Sequence, residues 1–530
     1  MIPVNAATEE EIEQSIIDGL AWLAEDQDDV DGSWGASDKT AQTCFALIKL
    51  QDRAYELEYE SPFDPEYDYS DNVIAGWEYV FNNGIYKQTP LAIQVHGVNN
   101  DDPDTNGNGY GVYFASFGGH PTYTTGICLM ALEASGTPGR LNDAGIDYDG
   151  DAVPDSFFDI AQDATDWLAF AQADGGSDEG GWDYNALDNQ ATNGWADNSN
   201  SGYAVLGLAA AEGFGCTVPA WVRTELNFWI NTIQDPVDGD ADDGGSWYES
   251  GWSWVNQLKT GNLIFQMTFY GDGPGDTRFD DAIDYIERHW QDMTNDPGWG
   301  YTLDPADYQA MYCLMKGLEY SGVDLIDTDG DTVSDNDWFN QEPTAVPSED
   351  FASVLVAQQN PDGSWPTCNW GNPTLCTIWA LLTLEKVTPP PPVIDLHVDI
   401  KPESCPNPLN KKSNGVIPVA ILGTEDFDVM TIDPETIRLS LGEEGVAPLR
   451  WSWEDVATPF ENFDVELCNC HDLNGDGYLD LTVKFKTQEV VDTLDLCQYS
   501  DDTIPFTITG NLIEEAGGIA FMGQDCMWIR

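Results

Sequence analysis

Six times within the first 388 residues, a helix-like run ends in an acidic, glycine-rich turn with an aromatic residue, and a second run of small and apolar residues follows. The turns are Asp31-Gly32-Ser33-Trp34, Asn108-Gly109-Tyr110, Gly180-Gly181-Trp182, Gly244-Gly245-Ser246-Trp247, Pro297-Gly298-Trp299 and Asp362-Gly363-Ser364-Trp365. The second runs begin near Thr40, Tyr123, Asn198, Lys259, Asp307 and Asn372. A helical hairpin repeated at about 65 residues cannot bury its apolar faces alone, whereas six can do so by closing into a ring with the second helix of each pair inside. The expected architecture is an (α/α)6 toroid.

Apolar spacing of three and four over 11–24, 160–172 and 279–290 marks amphipathic helices. Thr8 and Glu11 have the spacing of a capping box for the first. Four prolines at 389–392 form an extended linker that neither helix nor central strand can cross. Beyond it Ile394, Leu396, Val398 and Ile400 alternate, as do 478–485 and 504–508, with glycine, proline and asparagine between the runs. The fold class is therefore multidomain α and β, a toroid over 1–388 and a β-sandwich over 393–530.

Against 94 Asp plus Glu stand 19 Lys plus Arg, a formal charge of -75. That field repels phosphate backbones and anionic lipid, so no nucleic-acid partner is expected and binding to a membrane surface is disfavoured. No run approaches the ~20 apolar residues of a spanning helix. Met1-Ile2-Pro3-Val4-Asn5 lacks the basic-then-apolar order of a leader, which suits a cytosolic chain or, preferably, an exported one whose signal has been removed. Much of the aspartate sits in loops with glycine and asparagine, the composition of calcium sites; a solvated halophile surface is the other reading. Cys368 and Cys376 are spaced for a short disulfide, while Cys44, Cys128 and Cys313 fall on apolar faces as core thiols.

Two loops share the pattern D-x-D-G-D-x-x-x-D: Asp147, Asp149, Asp151 and Asp155, then Asp327, Asp329, Asp331 and Asp335. Alternating carboxylates on a glycine turn, with the carbonyls of Val153 and Val333 at the seventh position, surround a calcium-sized cation with hard oxygens. Both loops resemble thrombospondin type 3 and dockerin loops. A third candidate, Asp472, Asn474, Asp476 and Asp480, lies in the tail; weaker ones are Asp104, Asn106 and Asn108, and Asp238, Asp240 and Asp242. The metal expected is structural Ca2+, neutralising crowded carboxylates. Similar segments, Cys128-Leu129-Met130 and Cys313-Leu314-Met315, precede the first two loops, as in a duplicated half.

Trp22-Leu23, Gln27 and Gly32-Ser33-Trp34 resemble the QW motif of the squalene-hopene cyclase and protein prenyltransferase superfamily. Looser copies are Trp167-Leu168 with Gln172 and Trp182, Trp229-Ile230 with Gln234 and Trp247, and Gln359 with Gly363 and Trp365. The resemblance covers roughly 9–388 and implies the toroid, with each glutamine tying down helix-end groups and each tryptophan packing over its turn. It does not extend to that superfamily's known chemistries. Asp240-Ala241-Asp242-Asp243 spells the cyclase acid motif but falls within a turn, and no zinc set of Asp, Cys and His is apparent. Residues 393–530 resemble a domain attached to many secreted bacterial and archaeal proteins, through Val398-Asp399-Ile400-Lys401-Pro402, Ser404-Cys405-Pro406-Asn407-Pro408 and Val416-Ile417-Pro418-Val419-Ala420-Ile421-Leu422-Gly423. That resemblance implies an extracellular or cell-surface location.

In such toroids the cavity opens where the inner helices begin. Trp195, Tyr203, Trp252, Trp254, Asn256, Tyr301, Tyr308 and Trp370 cluster at those starts and offer stacking faces and hydrogen bonds for a glycan. Asp304 or Asp307 opposite Asp38 or Asp197 could cleave a glycosidic bond, and His120 is the best-placed acid–base histidine. The leading functional expectation is a surface binding or structural component, glycan-binding or self-assembling. A polysaccharide hydrolase or lyase comes second and a terpene-cyclase-like enzyme third.

Overall fold

The computed structural model describes residues 6–530 apart from 97–98, 117–118, 151, 187–194, 238, 252–253, 291–298, 300–304, 328–332, 341–349, 390–392, 403, 425–426, 428, 442–443, 459–474, 495, 500 and 514–519. The chain is mixed α and β and divides into two compact units, 1–390 and 391–530.

The first unit is built on helices α1 (Glu9–Glu25), α2 (Lys39–Glu56), α3 (Ser70–Asn83), α4 (Pro121–Ala134), α5 (Phe157–Ala171), α6 (Asn198–Gly213), α7 (Ala220–Ile233), α8 (Gln257–Tyr270), α9 (Thr277–His289), α10 (Tyr308–Tyr320), α11 (Phe351–Gln358) and α12 (Pro373–Leu384). The even-numbered helices pack in a closed circuit: α2 on α4, then α6, α8, α10 and α12, which returns to α2. The odd-numbered helices lie against them, with α3 on α2, α5 on α4 and α6, α7 and α9 on α8, and α1 and α11 on α12.

Sequence explains which helices can do this. The even-numbered helices are buried along most of their length, and glycine lets neighbouring backbones touch. A Cβ on Gly126 would stand 2.0 Å from the Tyr203 carbonyl oxygen, and one on Gly317 would stand 2.5 Å from that of Gly261. Of the odd-numbered helices, α9 is the clearest amphipath, burying only Phe279, Ala282, Tyr285 and Ile286, at three- and four-residue spacing, whereas α5 is buried along nearly its whole length. Thr8 and Glu11 form the capping box on α1 as the spacing predicts.

Four glutamines make one repeated connection. Gln27 Nε2 donates to the carbonyls of Gly32 (2.8 Å) and Asn72 (3.0 Å), and Gln172 to those of Gly180 (2.9 Å) and Val222 (3.0 Å). Gln234 donates to Gly244 (3.2 Å) and Arg278 (2.6 Å), and Gln359 to Gly363 (2.9 Å) and Ser15 (2.8 Å). Each amide thus holds its own turn to the next odd-numbered helix, and the last returns to α1. The indoles seal the turns, Trp34, Trp182 and Trp365 donating to the carbonyls of Leu23, Leu168 and Leu355. Because Gln172 is fully buried, Gln172→Ala leaves two carbonyls without this donor. The expected cost is about 2 kcal/mol in urea unfolding; an unchanged midpoint would show that the connection contributes nothing.

The second unit has two main sheets. Arg450–Glu454, Asp480–Lys486, Val416–Ile421 and Val398–Ile400 lie in that order in one, with antiparallel pairing throughout. The other runs Glu444–Val446, Ile432–Leu441, Asp502–Leu512, Ala520–Ile529 and Val393–Asp395, and Pro408–Leu409 also pairs with Ala520–Ile529. Ile400, Val419 and Phe485 from the first sheet share one core with Leu439, Ile508 and Met527 from the second.

The cysteines require a correction. Cys44 on α2 and Cys128 on α4, expected as separate core thiols, form a disulfide between neighbouring even-numbered helices. The helix packing brings their Cα atoms to 5.2 Å, within bridging distance. Cys368 pairs with Cys376, and Cys313 is a free, buried thiol.

Candidate functional site

Chemistry-bearing side chains gather in two parts of the first unit: around the starts of the even-numbered helices, and in the acidic loop between α4 and α5. At the first, Asp38 adopts a left-handed conformation (φ 45) and makes no side-chain cap to α2. Its carboxylate lies beside the phenol of Tyr123, whose pKa is raised by burial and by that charge. The Tyr123 ring packs against His120 at 5.8 Å and Tyr184 at 6.3 Å, and His120 lies 4.5 Å from Tyr184. Tyr184 and Tyr248 share a hydroxyl contact of 3.4 Å, and Tyr248 is 3.4 Å from Ser199 Oγ, which donates to Asp197 at 2.6 Å. Asp38, His120 and Asp197 thus belong to one chain of rings and hydroxyls. Tyr184 and Tyr248, which complete it, come from loops and carry no sequence signal beyond being aromatic.

The carboxylates proposed for hydrolysis have structural partners. Asp197 caps α6, accepting from Asn200 N (2.9 Å) and Asn200 Nδ2 (2.8 Å) as well as Ser199, and only 2% of it is exposed. Asp307 caps α10, accepting from Ala310 N at 3.1 Å, and is 3% exposed. Burial raises the pKa of both, partly offset by these hydrogen bonds. Asp304, Tyr301 and Trp252 lie outside the described residues.

The aromatic candidates separate by exposure. Trp195 (70%), Trp370 (79%) and Trp254 (39%) face solvent. Trp370 has a left-handed backbone (φ 62) between the bridged Cys368 and Cys376, and Asn372 just beyond it caps α12 and donates to Gln42. Lys259 Nζ stands 3.5 Å from the Trp254 ring centroid, and Asn256 caps α8 through Lys259 N. Tyr308 departs from the expected binding role because it is wholly buried, its hydroxyl donating to Gln358 at 2.7 Å. Tyr203 is also buried, 5.8 Å from Phe45, which lies 6.2 Å from Tyr312. These rings come from α2, α6 and α10, alternate members of the circuit, so aromatic side chains meet across its interior.

In the acidic loop, ligand oxygens of Asp147, Asp149 and Asp155 lie within 4.8 Å of one another, the single such group among the described residues. The backbone shapes the turn: Gly150 N and Ala152 N donate to Asp147, and Tyr148 N to Asp155. Three carboxylates at this spacing could hold a metal ion. Asp151 lies outside the described residues, and Asp159, near the end of the loop pattern, is used in a capping box with Ser156. In the second loop Asp327 and Asp335 are placed while Asp329 and Asp331 lie outside, and Glu287 accepts from Asp327 N and Ser334 Oγ. In the tail Asp472 and Asn474 lie outside, and Asp480 is fully buried, accepting from the backbone amides of Gly423, Val456 and Ala457.

The weaker loop at 104–108 docks on α5. Asn106 and Asn108 both donate to Asp163, and Thr105 donates to Asp166 through its amide and hydroxyl. Burial pushes Asp163 up to about 6 and Asp166 up to about 7, and neighbouring carboxylates add to the rise, Asp155 and Asp159 for the first and Asp163 for the second. Negative charge is therefore crowded along one side of α5. Within the cyclase-like sequence, Asp243 accepts from Gly239 N and Asp240 from Asp242 N, as in a structural turn.

No protein-family model matches this chain, and no curated protein does. Function therefore has to be argued from the chain's own residues. No helix among the described residues is long and apolar enough to cross a membrane. A set of hydroxyls contributing to these turns was missed from sequence: Thr43, Ser201, Thr260 and Thr377 accept from the backbone N–H of Trp34, Trp182, Ser246 and Trp365. A Ser or Thr in the first or second turn of these helices is the signal that could have revealed it.

Proposed function

We propose that the chain is a secreted or cell-surface protein, a calcium-stabilised (α/α)6 toroid joined to a β-sandwich, that serves as a surface binding or structural component and presents aromatic side chains to a glycan. The observation that carries this reading is the contrast between the aromatic contacts across the interior and the exposed tryptophans. Phe45, Tyr203 and Tyr312 occupy the interior of the helical circuit, whereas Trp195, Trp254 and Trp370 face water at the helix starts. Asp197 and Asp307 are engaged as helix caps, which favours binding over hydrolysis.

The closed order of even-numbered helices and the glutamine that returns to α1 support the toroid, and the shared core of the two sheets supports the sandwich. This architecture is also what the resemblance to squalene-hopene cyclases and protein prenyltransferases implies. The disulfides support an oxidising, extracellular setting, where calcium is also abundant. The acidic triad offers that ion a set of oxygen ligands.

A left-handed backbone costs a tryptophan conformational energy, and a solvent-facing indole gains little from burial. Stacking on the apolar face of a sugar would supply the missing contact. On a glycan array, Trp370→Ala is expected to reduce binding at least tenfold while leaving the melting temperature within about 1 °C, as for a surface substitution. A wild-type chain that binds no glycan would sink the recognition reading.

A further inference from the structure

At the C-terminal end of α12, the side chain of Glu385 meets that of Lys49 from α2, where the last even-numbered helix closes on the first. Lys49 is 0% and Glu385 3% exposed at the side chain, and Asp52, one turn along α2, places a carboxylate oxygen 3.7 Å from Lys49 Nζ. Lys49 Nζ is ion-paired with Oε2 of Glu385 and with Oδ2 of Asp52, yet Nζ, both Glu385 oxygens and Asp52 Oδ2 lack a hydrogen bond of ordinary geometry. An ammonium needs several acceptors and a carboxylate several donors, so a buried ion pair left in this state forfeits much of its solvation. An amide between the same two side chains would remove both charges and leave one N–H and one C=O to satisfy.

We propose that Lys49 and Glu385 are joined by an intramolecular isopeptide bond, with Asp52 as the proton carrier. The reaction starts from the neutral amine and the protonated acid, reached by proton transfer within the pair; burial favours this form, while the Glu385, Asp52 and Glu56 carboxylates outweigh it at Lys49 and raise its pKa, so the neutral amine is the minor form. The lone pair of Nζ adds to Cδ of Glu385 and the C–N bond forms. Asp52 accepts a proton from nitrogen and returns one to the departing hydroxyl, the C–O bond breaks, and one water leaves. Amine plus acid gives amide plus water, so no oxidant or reductant is required and Asp52 ends as it began. Burial pushes Glu385 up to about 8 and Asp52 up to about 6, bringing both within reach of their protonated forms near neutrality. The neighbouring Glu56 carboxylate reinforces both shifts, while Lys49 opposes them.

The bond would tie the two ends of the helical circuit across 336 residues of sequence, numbered as 385 minus 49. It needs neither calcium nor a glycan, and it stands apart from the functional reading above. The test is mass spectrometry of the full chain after complete reduction, unfolding and tryptic digestion. The expected intact mass is one water below that of the encoded chain. Trypsin fails to cut after Lys49, and a branched peptide contains both Lys49 and Glu385. An undiminished mass with ordinary cleavage after Lys49 would overturn the proposal. Lys49→Met is expected to restore the missing water, and a Lys49→Met chain still one water light would place the linkage elsewhere. Asp52→Asn is expected to leave most chains unlinked, whereas complete linkage in that variant would remove Asp52 from the reaction.

Discussion

Adding calcium to chelator-treated protein is expected to raise its melting temperature saturably, with magnesium giving a much smaller rise. A single site at a hundredfold excess over Kd contributes about 3 kcal/mol. Asp147, Asp149 and Asp155 would supply the oxygens, and magnesium is less suited to a flexible, oxygen-rich protein loop. Asp149→Asn is the informative variant because it removes one ligand charge while leaving the loop's backbone hydrogen bonds to Asp147 and Asp155 in place. It should weaken the calcium response. A wild-type response no larger than that to magnesium would reject calcium as the stabilising ion.

The same samples should show opposite pH trends. Folding raises Asp163 to about 6 and Asp166 to about 7 from an ordinary 3.8, so between those values the folded chain holds more protons than the unfolded one. Stability of the chelated protein therefore falls as pH rises from about 4 through 7. Every tenfold gain in proton affinity on folding corresponds to about 1.4 kcal/mol before solvent screening is discounted. Calcium competes with protons for carboxylate oxygen, so its stabilisation should be larger at pH 7.5 than at pH 5.5. Melting temperatures at both values, with and without calcium, would check the sign. A chelated protein more stable at pH 7.5 than at pH 5.5 would contradict it.

Removing the disulfide between α2 and α4 is the second large effect. Cys44 and Cys128 are 84 residues apart, and a crosslink over a loop of that size restricts the unfolded chain by about 4 kcal/mol. The double variant Cys44→Ala with Cys128→Ala should lose a comparable amount in denaturant unfolding, and mild reduction of the native chain should reproduce part of the loss. A double variant as stable as the native chain would show that the bridge does not stabilise it. Finding both thiols free in freshly purified protein would also remove one support for an exported location.

Helix positions were legible because turn chemistry recurs. The second runs were expected near Thr40, Tyr123, Asn198, Lys259, Asp307 and Asn372, and the helices begin at Lys39, Pro121, Asn198, Gln257, Tyr308 and Pro373. What the repeats conceal is which way a side chain at a helix start points. Asp197 and Asp307 can be read as cleft acids or as caps, and it is the bonds to Asn200 N and Ala310 N that show both carboxylates capping their helices. Tyr308 has the same ambiguity, and its hydroxyl is turned inward to Gln358. The Cys44–Cys128 bridge was hidden because each cysteine sits in an apolar run suited to an ordinary core thiol. In the acidic loop the spacing of Asp147, Asp149 and Asp155 anticipates their proximity, since alternating residues on a tight turn converge.

The bond from Gln359 to the carbonyl of Ser15 spans 344 residues. During synthesis α1 therefore leaves the ribosome long before the helices that cover it, with Gly19 waiting for Leu381 and Trp365, which later close to within 2.8 Å of its missing side chain. Earlier hairpins can pack in sequence, but the seam cannot form until almost the whole first unit has been translated. Until then the nascent chain carries an open apolar edge at each end, so a message truncated within α11 or α12 should yield an aggregation-prone product and depend on chaperones in a way the finished chain does not.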